Sequence, residues 1–191
     1  EGLVQCVYEG RKSGFDIREL KEESTVEVTG TVRGEERAPQ GFEIRLQGIR
    51  VLSKPAQPMP IAISKWKLNT SLETKLSLRP ISLRNVRERA KFKIQEGIVR
   101  GFRDYLLSRD FTEIRTPKIV ARGAEGGSNV FKLEYFNKKA ELGQSPQFYK
   151  QTMVGVYDRV FEAAPVFRAE KHNTTRHLNE YTSLDFEMGY I

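Results

Sequence analysis

Arg168 and Glu170 stand two residues apart at the end of an apolar run, Val160–Phe167, and open a loop dense in His, Asn, Thr and Arg. Apolar alternation resumes at Tyr181, Leu184, Phe186 and Met188, so the loop joins two strands. Arginine grips phosphate at two points through a planar group that keeps its charge. A loop this charged between two strands suits a ligand rich in phosphate. Upstream, Pro146 opens a helix near its first turn. Lys150 then lies one turn from Gln147, and both can face one cavity. A carboxylate entering such a cavity needs a fixed positive charge, or its desolvation goes uncompensated; Lys150 supplies one. Gly123-Ala124-Glu125-Gly126-Gly127-Ser128 reads as a mobile loop, because glycine opens backbone conformations closed to other residues. His172 and His177 sit in a polar loop with no cysteine nearby, which does not read as a zinc site.

Holding these groups in place takes a scaffold, and the chain reads as α+β. In Arg87–Arg109, Ala90, Ile94, Ile98, Phe102 and Tyr105/Leu106 recur at helical spacing, with Arg89, Lys93, Glu96, Arg100 and Arg103 opposite. Phe111–Pro117 is a short strand ending at proline. Lys132–Phe136 and Ala140–Leu142 read as strands, and Gln147–Val154 as the helix carrying Lys150. The first part is β. Leu3–Tyr8 and Ile49–Leu52 are apolar, Thr25–Val32 and Phe42–Leu46 alternate with period two, and Pro39-Gln40-Gly41 marks a turn. Phe15–Glu22 fits a short helix or loop. Pro55, Pro58 and Pro60 stiffen a linker, and Ile61–Leu83 reads as a hinge region. The expected division is therefore 1–54, 55–83 and 84–191.

Composition narrows the class. A net charge of +7 over 191 residues points to a polyanionic partner. The single cysteine, Cys6, excludes a disulfide framework and a cysteine-based zinc site; set in an apolar run, it is expected to be buried rather than reactive. No apolar run reaches the ~18 residues of a membrane span, and Glu1-Gly2-Leu3-Val4 does not begin a signal peptide. A cytoplasmic location, with no membrane, is expected.

Phe167–Glu187 resembles motif 2 of the class II aminoacyl-tRNA synthetases, in the form used by aspartyl-tRNA synthetases of archaeal and eukaryotic style. The helix, strand and proline from Arg87 to Pro117 resemble motif 1, which builds the homodimer interface in that family. Residues 1–54 look like the later part of a five-stranded OB-fold barrel, which in the family binds the anticodon loop. Phe42, Arg33 and Arg45 are of the types that read unstacked bases. The fold implied is a partial OB barrel followed by the first half of a class II antiparallel catalytic sheet.

The resemblance implies ATP-dependent activation of L-aspartate to the adenylate, then transfer to tRNA(Asp), with tRNA(Asn) left open. Arg168, the catalytic candidate, would bind the α-phosphate and the substrate carboxylate. Glu170 would meet the adenine side, His177 the γ-phosphate, and Tyr181 would stack on adenine. Gln144–Lys150 resembles the aspartate-recognising segment: Lys150 would pair with the substrate β-carboxylate, Ser145 and Gln147 would hydrogen-bond the bound aspartate, and Asp185 would help hold its ammonium group. Gly123–Ser128 looks like the family's flipping loop, with Glu125 on the ammonium. Glu187, on the strand face of Asp185, is placed near ATP.

Motif 3, with its second phosphate-binding arginine, is not found, and the acidic ligands of catalytic Mg2+ are expected beyond motif 2. The chain is thus expected to be truncated at both ends and inactive alone. Two other readings stay open: an asparaginyl-tRNA synthetase or class II-like asparagine synthetase, against which Lys150 argues, and a non-catalytic OB-fold nucleic-acid-binding protein.

Overall fold

Ten residues of period-two alternation, Thr25–Gly34, pair antiparallel with Phe42–Ser53, and this ribbon is the centre of the first sheet. A computed structural model describes residues 2–10, 15–123, 129–172, 174 and 176–190. In chain order the first strands are β1 (Gln5–Val7), β2 (Thr25–Gly34) and β3 (Phe42–Ser53). β1 adds in parallel to the other edge of β3, giving the order β1-β3-β2 in an open sheet. The register shifts between Thr29 and Gly30. A Cβ at Gly30 would lie 2.2 Å from the Arg45 carbonyl oxygen, so only glycine lets the strands meet there. The expected burial of Cys6 is corrected: it is exposed, because β1 is a three-residue edge strand.

The chain divides into two compact units, 1–88 and 89–191. The first also holds α1 (Leu72–Ser77) and α2 (Arg79–Ser82), which follow the proline-rich stretch. Ser71 starts α1 by accepting from Thr74 N at 3.1 Å, and Pro80 occupies the first turn of α2. Ile61, Ile63 and Leu68 pack with Leu78 and Ile81 into a small core.

α3 (Val86–Leu107) leads into the second unit. Its spacing predicts a single apolar stripe, yet only the C-terminal part is covered. Leu106 is buried with Phe111 and Phe161, and Phe102 meets Phe161 edge-to-face at 5.7 Å. Ile94 and Ile98 stay 63% and 56% exposed, lining an open cavity with Thr182 and Leu184 instead of packing into the core. One sheet of this unit is β4 (Thr112–Glu113), β8 (Arg159–Phe167) and β9 (Glu180–Met188) in the order β4-β8-β9. A second, antiparallel sheet holds β5 (Ile119–Val120), β6 (Lys132–Tyr135) and β7 (Lys138–Leu142) in the order β5-β7-β6. α4 (Gln147–Tyr157) connects to β8. Asp110 after α3 and Asp158 after α4 take positive φ, 62° and 61°. Aspartate tolerates this left-handed conformation, and it turns each helix directly into its strand. No helix of the described residues is long and apolar enough to cross a membrane.

Candidate active site

The β8–β9 register decides which side chains meet. Glu162 pairs with Asp185, Val160 with Glu187 and Val166 with Tyr181. Side chains alternate across a strand, so Tyr181, Ser183, Asp185 and Glu187 share one face. Leu184, Phe186 and Met188 take the other, where Phe186 meets Phe111 edge-to-face at 6.1 Å. Tyr181 is therefore out of phase with the apolar residues that follow it.

α4 delivers Lys150 onto the polar face. Lys150 is buried at 5% exposure, its Nζ 3.1 Å from Asp185 Oδ1 and 3.4 Å from Glu187 Oε2. Gln147, one turn earlier, donates to the same Glu187 oxygen at 3.4 Å. Ser145 Oγ accepts from Gln147 N, the first residue of α4, at 3.3 Å. The sequence-derived residues Ser145, Gln147, Lys150 and Asp185 are thus brought together. Glu187 joins them, toward the opposite end of β9 from Tyr181. Its partner Val160 and Tyr181's partner Val166 are six residues apart, roughly 20 Å along a strand. Glu125 lies outside the described residues.

A second group gathers where the hairpin opens. Arg168, Glu170, Arg176, His177, Leu178 and Tyr181 line a cavity of about 400 Å3. Its walls are fixed through the backbone. Arg168 N donates to Asn179 O at 2.9 Å, and Asn179 Nδ2 donates to the carbonyls of Arg168 at 2.8 Å and Glu170 at 3.0 Å. Thr174 Oγ1 lies 2.7 Å from His177 Nδ1. Two guanidinium groups and an imidazole around an open cavity fit a polyphosphate. Magnesium finds no group of three candidate ligands among the described residues.

Two neighbours of the candidate site, Glu162 and Asn179, escaped the sequence reading. Glu162, 1% exposed, accepts from Thr116 N at 2.8 Å, Thr116 Oγ1 at 2.7 Å and Lys118 Nζ at 2.9 Å. Lys118 O in turn receives Gly143 N at 2.8 Å, and Gly143 O receives Phe167 N at 3.0 Å. The segment entering α4 and the strand leading to Arg168 are therefore tied at one point. Gln144 donates to Asn129 O at 3.1 Å, an oxygen that Ala169 N also reaches at 3.0 Å. A lone carboxylate in the apolar run Val160–Phe167 was the available signal for Glu162, since such a charge must find partners. Nothing in the sequence marked Asn179 apart from neighbouring polar residues.

The tRNA synthetases class II (D, K and N) match residues 71–191. The chain belongs to this class II synthetase family. It is 49% identical over 190 residues to the aspartate–tRNA(Asp/Asn) ligase of Deinococcus radiodurans, covering 100% of this chain and 42% of that protein. It is equally 49% identical over 190 residues to the ligase of the same description from Thermus thermophilus, covering 100% and 44%. Among solved class II synthetases, the asparaginyl-tRNA synthetase of Pyrococcus horikoshii with asparaginyl-adenylate superposes with a TM-score of 0.86 at 33% identity, over 100% of this chain and 44% of that one. The chain spans less than half the length of these synthetase relatives.

Proposed function

We propose that the complete protein is an aspartate–tRNA ligase that joins L-aspartate to ATP, releases pyrophosphate, and transfers the aspartyl group to tRNA(Asp) and tRNA(Asn). The observation that carries this reading is Lys150, a buried cation set between two carboxylates at the base of α4. A free amino acid with an acidic side chain brings two carboxylates and one ammonium. Lys150 and Arg168 oppose the first two, while Asp185 and Glu187 oppose the third, so the charges of site and substrate are matched.

In the proposed reaction Lys150 Nζ takes the β-carboxylate, and Asp185, with Glu125 from its loop, takes the ammonium. Arg168 aligns the α-carboxylate against the α-phosphate of ATP. Carboxylate oxygen attacks phosphorus in line, and pyrophosphate leaves. The protein contributes alignment and charge stabilisation rather than a covalent step. Tyr181 stacks on adenine, Glu170 faces its amino edge, and Arg176 and His177 receive the outer phosphates. Magnesium, when bound, would neutralise phosphate charge. A terminal ribose hydroxyl of tRNA then attacks the adenylate carbonyl and AMP leaves.

Supporting a homodimer through α3 and β4 is the exposed apolar stripe at Ile94, Ile98 and Tyr105. The sheet of 1–54 would hold the anticodon loop, and the cytoplasm is the proposed location. Charging of tRNA(Asp) and tRNA(Asn) transcripts with labelled aspartate tests the reading. Product on both supports it; product on tRNA(Asp) alone narrows it, and product on neither overturns it.

A further inference from the structure

Trp66 is the only tryptophan of the chain and is 74% exposed. Its surroundings rule out a loose tail. Ile63 and Leu68, on either side, are buried in the core formed with Ile61, Leu78 and Ile81. Between these anchors, Asn85 Nδ2 donates to the carbonyls of Ile63 at 2.8 Å and Lys65 at 2.6 Å. Asn85 is itself buried, and its Oδ1 accepts from Arg87 N at 3.1 Å and Glu88 N at 3.2 Å at the start of α3. Ser64 N adds a bond to Glu22 Oε1 at 3.0 Å. The loop is thus stapled to a helix N-terminus and to a second turn, and the indole is held outward by its backbone.

The residues around the ring decide what it suits. Ser64, Lys65, Lys67 and Asn69 are all exposed and polar. Neither lysine forms an ion pair among the described residues. A protein pocket for tryptophan favours an apolar surround. A rigid aromatic ring between two uncommitted cations, in a chain of net charge +7, instead has the chemistry of an unpaired nucleotide site. The ring stacks on a base and the ammonium groups meet the adjoining phosphates. Rigidity lowers the entropy lost on contact.

We propose that Lys65-Trp66-Lys67 is an RNA contact, with the indole stacked on an unpaired base of tRNA and the two lysines on flanking phosphates. The contact rests on the reading of the complete protein as a tRNA ligase and lies apart from the residues assigned to catalysis. The test uses the complete protein, a tRNA(Asp) transcript and filter binding across a salt series. Aspartate-dependent pyrophosphate exchange without tRNA serves as the control. W66A is expected to bind about tenfold more weakly, within the range of base–aromatic stacking. W66F should stay within about threefold of the unsubstituted protein, because it keeps a stacking ring. K65A/K67A should flatten the slope of log K against log salt by about 1 to 2. Exchange should be unchanged in all three. Undiminished binding by W66A overturns this contact and leaves the ligase reading standing. An unsubstituted protein that exchanges with aspartate yet binds no tRNA overturns both the contact and the tRNA step. Loss of binding and exchange together in both W66A and W66F overturns it in favour of a structural role.

Discussion

The two ends of the site are organised in opposite ways. At Lys150 the protein's own charges meet side chain to side chain, buried under α4. At Arg168 it is the backbone that is fixed, by the three hydrogen bonds with Asn179, while the side chains line an open cavity. In the proposed reading, the sign of a charge defines the amino-acid end and the position of a loop defines the nucleotide end. Altering a charge should therefore cripple the first, and loosening an anchor should weaken the second by degrees.

The largest expected effect follows from Lys150→Leu. It leaves Asp185 and Glu187 without their cation, and breaking a buried pair costs about 3–5 kcal/mol. The kcat/KM for aspartate in pyrophosphate exchange should fall by at least about two orders of magnitude, while the KM for ATP changes little. A comparable rise in both KM values would erase the contrast between the two ends.

Next is Glu162→Ala, which strands Thr116 N, Thr116 Oγ1 and the Lys118 ammonium. Unfolding free energy from urea titration should drop by about 3 kcal/mol, within the range for a broken buried pair. Thr116→Val, which removes one hydroxyl donor, should cost about 1 kcal/mol. Equal losses from the two variants would mean that the carboxylate is not the anchor. Asn179→Ala comes third. Losing its side-chain donors should raise the KM for ATP about tenfold, some 1.4 kcal/mol, with aspartate nearly unaffected. A larger change for aspartate than for ATP would reverse the assignment of the two ends.

The smallest effect concerns the sheet behind the site. Burial pushes the Glu113 carboxyl up, but hydrogen bonds from Arg115 and Arg103 outweigh it and hold the carboxyl below its usual value. A depressed folded-state value adds stability above the unfolded value of about 4.3. That stability is lost as the pH falls through the folded value. Glu113→Gln should therefore cost about 0.5–1 kcal/mol at neutral pH. In thermal unfolding the gap between variant and parent should close in acid below pH ~4. A gap that persists in acid would assign the loss to packing.

Much of this site was legible because hairpins and helices have periods. The alternation of β9 put Asp185 and Glu187 on one face, and a single helical turn put Gln147 beside Lys150. Residues whose meaning depends on distant partners were not legible. Glu162 reads as an interruption of an apolar strand until Thr116 and Lys118, more than forty residues upstream, arrive against it. Asn179 looks like one more polar loop residue until its amide is seen closing the hairpin mouth. The stripe of α3 was visible as a stripe, but spacing does not say along which part of it the sheet packs closely. Cys6 misled for a related reason, since an apolar run on a short edge strand has no second layer to bury it.

Pyrophosphate exchange into ATP by the complete protein, with aspartate and asparagine supplied separately, tests the central claim most directly. Exchange with aspartate and not with asparagine is the predicted result, because a buried cation at Lys150 favours a carboxylate over a carboxamide. Exchange supported equally well by asparagine, or by asparagine alone, would contradict the account of the Lys150 pocket while leaving the class II fold intact.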